Sequence, residues 1–367
     1  VLRLKREEVY DTVVEAFDSK FSWLGGQFAT EFLESIASWN IQQFSKPEYR
    51  IRKHIALYWE AAWLKSSLLK RAYDILGDQL CMVTSDITVA SLRGTVEFGK
   101  FVPPYTLVRP FAVATEFGQV VGPGKEDMVQ KLLNVLEEGM VTVSLSKISS
   151  LSAEQVEMIQ NEYPMIRFIE KNTFSYNTNW VLMAATYNKK FMIDNAFESR
   201  FNLVIPEKPL DSNLTKYVKN SPRFHIEEDV LINLREFVLD GDHKIDCNVN
   251  LPDELFEESR GKITPRQCAM LSSYVLTNEW WGKKVTNDDI MVKAEKMKTD
   301  ADMIWKTTAD KIFELIIDKD CTLDEIRAAL KSQVTDRAIY YALNKLRPVK
   351  MIKPGPDGKD HVYYKIM

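Results

Sequence analysis

Between about Pro47 and Pro206, short apolar runs alternate with stretches of helical period, and this alternation constrains the fold more than any other feature. "HIALYW", "QLCMVTS", "FAVAT", "MVTVSL", "WVLMAAT" and "FNLVIP" have strand length and carry β-branched or aromatic residues. "SSLLKRAYDIL", "EDMVQKLLNVLEEG" and "DNAFESRF" lie between them with helical spacing. Strands that alternate with helices predict an α/β core built on a largely parallel sheet covered on both faces.

The flanks read differently. "REEVYDTVVEAFDSKF" and "QFATEFLESIASWNIQQF" place apolar residues three and four apart, which predicts helices. From Asn213 to about Lys298 the pattern is again helical, as in "VLINLREFVL" and "PRQCAMLSSYVL", the usual arrangement of a lid after an α/β core. Near the end, "TLDEIRAAL" and "VTDRAIYYALNKL" read as two helices, and "KMIKPGPDGKDHVYYKIM" reads as a hairpin with Pro-Gly-Pro-Asp-Gly at its tip. Helix, turn, helix and hairpin predict a winged helix. The expected division is an N-terminal helical segment (1–46), the α/β core (47–206), a helical lid (207–298) and the winged helix (299–367).

With 48 Lys and Arg against 52 Asp and Glu, the net charge of -4 argues against a generally basic binder and leaves room for a local basic patch. No apolar run approaches the ~18 residues of a membrane span, and no signal-peptide pattern opens the chain, so no membrane partner is expected and an intracellular location is. The chain opens on Val1 rather than methionine, which leaves room for a longer parent. Cys81, Cys247, Cys268 and Cys321 form no C-x-x-C pair and the four histidines are scattered, so no metal site, zinc or disulfide is expected.

"HIALYWEAAWLKSSLLKRAYDIL" has the outline of a phosphate-binding loop: strand, short connection, Lys-Ser, amphipathic helix. In such a loop backbone N–H groups point at the phosphates, a lysine reaches the outer ones and a hydroxyl holds magnesium. Lys65 and Ser66 stand where the lysine and hydroxyl belong, but the connection has no glycine. Trp59 takes the place of the first and Ala62 that of a second, and a tryptophan and a leucine in that turn should fill the space of a triphosphate. A capped helix after a strand would read the same way.

Downstream lie "ASLRGTVEFGKFVPPYTLVRPFAVATEFGQ", "KLLNVLEEGMVTVSLSK", "TFSYNTNWVLMAAT", "FESRFNLVIP" and "ITPRQCAML". In order and local spelling they resemble the AAA+ motor of the minichromosome maintenance (MCM) replicative helicases, over about Glu48 to Met297. The resemblance implies ATP with magnesium as the ancestral ligand, bound by Lys65 and Ser66. It implies Glu116 as the catalytic carboxylate in a Walker B strand whose metal-orienting aspartate has become Thr115. "WVLMAATYN" matches the sensor 1 strand, with Thr186 in place of its asparagine and Asn188 two residues late. Arg200 matches the arginine finger, which acts on a neighbouring subunit's nucleotide, and Arg266 the sensor 2 arginine. A surface or interdomain ion pair is the alternative for both arginines.

Two segments concern DNA. "MVTVSLSK" matches the first strand of the family's pre-sensor 1 hairpin, with Lys147 on the lysine that faces DNA; about twenty residues that follow, "ISSLSAEQVEMIQNEYPMIRF", have no place in the family's pattern. "DITVASLRGTVEFGKFVPPY" matches the insertion in the second helix, with Arg93 and Lys100 as candidate phosphate contacts. Solvated loops are the alternative for both. In the terminal section, residues 335–367 hold seven Lys/Arg against three Asp, a local charge of +4. This suits a DNA-facing module, with Arg337, Tyr340, Tyr341 and Lys345 on the recognition helix and Lys353 and Lys359 at the wing; protein docking is the alternative use of a winged helix. The expectation is a DNA-binding AAA+ relative with a degenerate, inactive nucleotide site, acting in DNA replication as an accessory or initiation factor or as a subunit of a homo- or hetero-oligomer. A working ATP-driven helicase and a winged-helix transcriptional, plasmid or viral regulator are the alternatives.

Overall fold

The computed structural model describes residues 3–51, 53–59, 63–84, 87–88, 91–92, 94–97, 100–115, 117, 131–132, 134–136, 139–144, 151–170, 173–186, 200–208, 210–259, 265–305, 312, 315, 321–330, 339–343 and 362–363. The chain divides into two compact units: Val1–Glu207 with Asp211–Ala294, and Lys208–Leu210 with Glu295–Met367.

The first unit opens with a helical hairpin of α1 (Arg6–Phe21) and α2 (Trp23–Asn40). In α1 the buried residues Val9, Val13, Phe17 and Phe21 recur four apart and form one stripe. The second helix is buried almost all round, which makes it an interior element. A Cβ at Gly25 would run into the Phe17 carbonyl, so the hairpin closes only on glycine. Phe17 packs against the rings of Phe28 and Phe224 at 5.4 and 4.9 Å, and α2 runs out through a π-helical turn, Ile41–Ser45.

The core follows: β1 (His54–Tyr58), α3 (Lys65–Leu76) and β2 (Cys81–Thr84). A hairpin of β3 (Thr95–Glu97) and β4 (Lys100–Val102) and one helical turn, α4 (Tyr105–Val108), precede β5 (Phe111–Ala114). An inserted lobe holds β6 (Met140–Ser144), α5 (Ala153–Glu162), β7 (Arg167–Glu170) and β8 (Thr173–Asn177). The chain returns to the core with β9 (Val181–Thr186) and β10 (Phe201–Val204).

Five strands form one parallel sheet in the order β10-β1-β9-β5-β2. Two of its interior strands, β5 and β9, are buried along their whole length, as a sheet covered on both faces requires. "MVTVSL" departs from the expectation of a core strand. As β6 it belongs to a separate antiparallel sheet, β6-β8-β7, and its alternation of buried Val141 and Val143 with exposed Met140, Thr142 and Ser144 is what a sheet with one solvated face selects. The chain between β6 and β8 supplies α5 and β7, and β7 adds a third strand to the antiparallel pair of β6 and β8.

Five helices complete the unit: α6 (Ser212–Asn220), α7 (Glu228–Leu239), α8 (Asp253–Ser259), α9 (Pro265–Trp280) and α10 (Asn287–Trp305), the last running across the boundary at Ala294. The side chain of Asn40 donates to the carbonyls of Phe237, Val238 and Asp240 and so caps the end of α7, while Trp280 Nε1 donates to Asn40 Oδ1 at 2.9 Å. α7 and α9 are thereby tied to α2.

Ionic contacts fasten α2 as well. Glu34 is fully buried and pairs with the ammonium of Lys53, just before β1. One turn earlier Glu31 pairs with Lys293 of α10 at 2.7 Å and accepts from Asn202 of β10 at 2.9 Å. Burial disfavours the charged form of Glu31, but Lys293 and Lys53 outweigh it and hold its pKa at about 2. Burial likewise disfavours the Lys293 ammonium, and Glu31 and Glu34 overcome that and raise its pKa. Removing one member would leave a buried charge without its partner, at a cost of ~3–5 kcal/mol.

His54, the first residue of β1, is buried between strands. Leu182 N–H donates to its Nδ1 at 3.1 Å, so the proton sits on Nε2 and faces the Leu136 carbonyl at 3.3 Å. Burial, reinforced by the cations Arg50 and Arg200, pushes its pKa down to about 4.

The second unit is built around Ile312, Cys321, Ile326, Leu330, Ile339, Ala342 and Leu343. It contains β11 (Cys321–Thr322), α11 (Leu323–Leu330), helical residues 339–343 and β12 (Val362–Tyr363), which pairs antiparallel with β11. Thr322 and Glu325 exchange hydrogen bonds as a capping box at the start of α11.

Acid should unfold the first unit in two overlapping stages. The neutral His54 contributes stability that is full above pH 6.5 and is lost as the pH falls towards 4, worth about 3 kcal/mol. Ionised Glu31 contributes stability present above pH 4.5 that is lost as the pH falls towards 2. Thermal melts from pH 8 to 3 should show the midpoint falling from about pH 6.5 downward, and His54→Gln should flatten the upper part of that fall.

Candidate nucleotide site and nucleic-acid surfaces

The carboxyl edge of the parallel sheet is where the predicted nucleotide residues meet. From β1 the chain crosses through α3 to the far strand β2, whereas β10, the strand that follows β9 in sequence, lies on the other side of β1. The connections of these two neighbours leave in opposite directions, which is where an open α/β sheet forms a ligand crevice. Tyr58 and Thr186 are register partners at that edge, and Thr115 follows directly on β5, the next strand over. The strands read as Walker A, sensor 1 and Walker B are thus consecutive in space although far apart in sequence.

Lys65, the first residue of α3, is buried in this crevice. Its Nζ donates to the carbonyls of Trp59 at 2.5 Å and Thr186 at 3.2 Å. The ammonium therefore links the ends of β1 and β9, and it lies 5.6 Å from the centre of the Trp59 ring. The described residues of the connection bond to one another. Trp59 is buried, and its indole N–H donates to the Trp63 carbonyl at 2.6 Å. The same carbonyl accepts the Lys65 backbone N–H at 2.7 Å, so that donor is used inside the loop rather than offered to an anion. Between them Leu64 has a φ of 57°. Glycine adopts that conformation without strain, and a leucine holds it at a cost of roughly 1–2 kcal/mol.

Ser66 is exposed on the first turn of α3. Glu116 lies outside the described residues; it is flanked by Thr115, half-buried, and Phe117, fully buried against Phe201. Arg200 immediately precedes β10, and the pairing of His54 with Phe201 puts it at the amino edge of the sheet. A strand of five residues separates that edge from Lys65, a distance of ~15 Å, so Arg200 and Lys65 of one chain do not share a site. Arg266 is in the first turn of α9. Among the described residues, no group of three His, Cys, Asp or Glu could hold a metal ion, and no helix is long and apolar enough to cross a membrane.

The two segments read as DNA-facing lie side by side. Phe101 of β4 packs on Phe174 of β8 at 5.6 Å and on Tyr163 at 6.1 Å, and the Tyr176 hydroxyl donates to the Leu92 carbonyl at 2.9 Å. Lys100 is exposed on β4. Arg93 and Lys147 lie outside the described residues, as do Asn188, Arg337, Lys345, Lys353 and Lys359. In the second unit Tyr340 and Tyr341 are both exposed while their neighbours Ile339 and Ala342 are buried. The Tyr340 hydroxyl bonds Arg327 of α11, whose guanidinium lies 5.1 Å from the Tyr340 ring; Tyr341 is 66% exposed against 45% for Tyr340.

The pairs Glu34–Lys53 and Glu31–Lys293, and the role of His54, were not anticipated from the sequence. Two glutamates three apart inside the apolar helix "QFATEFLESIASW" were the available signal, since a buried helix keeps carboxylates only when cations meet them. No protein-family model matches the chain, and a search of curated proteins finds no match.

Lys65→Met keeps the apolar stem and removes the ammonium. Because the charge is used within the protein, chemical denaturation should show a loss of about 1.5–3 kcal/mol in the absence of any nucleotide; a lysine kept only for a ligand would lose little.

Proposed function

We propose that the chain is a DNA-binding relative of AAA+ motors, similar to the MCM branch, whose own nucleotide site is closed. It serves as an accessory or initiation factor or as a partner subunit in an oligomer. The observation that carries this reading is the convergence at one sheet edge: Lys65, the end of β9 and the end of β5 meet there as the resemblance implies. Electrostatic placement is nearly all of phosphoryl-transfer catalysis. A lysine held by two carbonyls, a loop filled by Trp59 and a threonine at the metal-orienting position support an inactive site over a working motor.

The position of Arg200 supports the partner-subunit role. It stands at the edge opposite its own Lys65, so any nucleotide it serves belongs to another chain. DNA binding is supported by the hairpin and lobe between β2 and β9, with exposed Lys100, and by a second unit that exposes Tyr341 within a segment of charge +4.

Fluorescence anisotropy with a short DNA duplex across a salt series tests this reading. Binding should weaken linearly on logarithmic axes as salt rises. A Lys100→Ala, Lys147→Ala variant should lower the salt slope by about 2 while the fold is kept. Absence of binding at low salt, or a slope unchanged by the variant, would contradict DNA contact through these residues.

A further inference from the structure

The lobe element without a family counterpart has a surface of its own. α5 carries Glu154, Glu157 and Glu162 and no lysine or arginine, and all three glutamates are exposed. Among the described residues no ion pair neutralises Glu154 or Glu157. Ile159 faces the lobe, whereas Met158 beside it is 70% exposed. Glu154 and Glu162 stand one helical turn before and after Met158, so an apolar side chain sits between two carboxylates on a single stripe. Met165 and Ile169, in the chain that leaves the helix, are also exposed, at 53% and 63%.

We propose that the outer face of α5 docks a basic amphipathic helix of a partner protein. Three exposed carboxylates on a helix that has no lysine or arginine repel phosphates, so this face is wrong for DNA. The same charge attracts lysine and arginine side chains. Methionine supplies adaptable apolar contact and is enriched at protein interfaces. A helix with lysines flanking an apolar stripe satisfies both: its apolar side chains cover Met158 while its cations reach Glu154, Glu157 and Glu162. The stripe spans two turns of α5, a length that suits a helix lying along it. This proposal does not rest on the AAA+ reading.

The test uses the full chain with three probes: a fluorescent synthetic leucine–lysine amphipathic helix, a serine–lysine peptide of equal charge, and a short DNA duplex. The leucine–lysine helix should bind. Its affinity should fall about tenfold in a Glu154→Lys, Glu157→Lys variant and several-fold in Met158→Ser. The serine–lysine peptide should bind at least about tenfold more weakly than the helix. DNA binding should not weaken in any variant. Because Met158 and both glutamates are exposed, circular dichroism should report an unchanged fold, and Met158→Ser alone retains the test if the charge variant does not fold. The proposal is overturned if the helix does not bind, if both peptides bind equally, or if binding ignores the substitutions. It is overturned equally if Met158→Ser weakens DNA binding or abolishes self-association in sedimentation, outcomes that would give the face to DNA or to a second copy.

Discussion

The two ion pairs that α2 makes inside the first unit hold together most of what surrounds the sheet. Glu34 meets Lys53 at the entry to β1, and Glu31 meets Lys293 of α10 while accepting from Asn202 of β10. One helix thereby fixes two adjacent parallel strands and the helix that continues into the second unit. Buried pairs of this kind contribute little over an apolar replacement of equal shape, but breaking one side is costly. They therefore act as constraints on arrangement. β1 is held beside β10, and β1 in turn pairs with β9, whose carboxyl end meets that of β1 at the predicted nucleotide site.

The two edges of the sheet have different physical characters. At the amino edge, charges are buried and paired within the chain, and Arg200 stands beside them, where its charge helps keep His54 neutral. At the carboxyl edge, where a ligand crevice is expected, a lysine again finds its partners inside the protein. The bonds from Lys65 to the Trp59 and Thr186 carbonyls, the buried Trp59 indole and the Leu64 conformation all belong to one closure. A loop that binds phosphates presents donors outward; here the Trp59 indole N–H and the Lys65 backbone N–H both go to the Trp63 carbonyl.

Much of the architecture was legible because periodicity separates the elements well. The first helix was read at its structural bounds, and "HIALYW", "FAVAT" and "WVLMAAT" became β1, β5 and β9 since continuous apolar runs suit strands covered on both faces. "MVTVSL" was counted among the strands of the core and also matched to the first strand of a hairpin; its alternation, the mark of a solvated face, goes with the antiparallel pairing of β6 and β8. α5 escaped notice because its stripe holds few apolar residues and its boundary signal, Ser152 capping Gln155, is local. At the site, Lys65 and the missing glycines could be read from the chain. What replaces the phosphate contacts could not, because a lysine bonded to carbonyls 6 and 121 residues away is a tertiary fact. The buried ion pairs were hidden for the same reason: Glu31 and Lys293 are 262 residues apart.

The proposed function turns on whether the predicted nucleotide site is closed by the chain's own residues. The most direct measurement is the thermal midpoint of the wild-type chain in millimolar Mg-ATP, run beside Lys65→Ala. The closed loop predicts no shift in either protein. A rise in the wild type that vanishes in the variant would contradict the account, since a ligand at ~100 times its dissociation constant adds ~2.7 kcal/mol of stability and would show that the crevice still opens to a nucleotide.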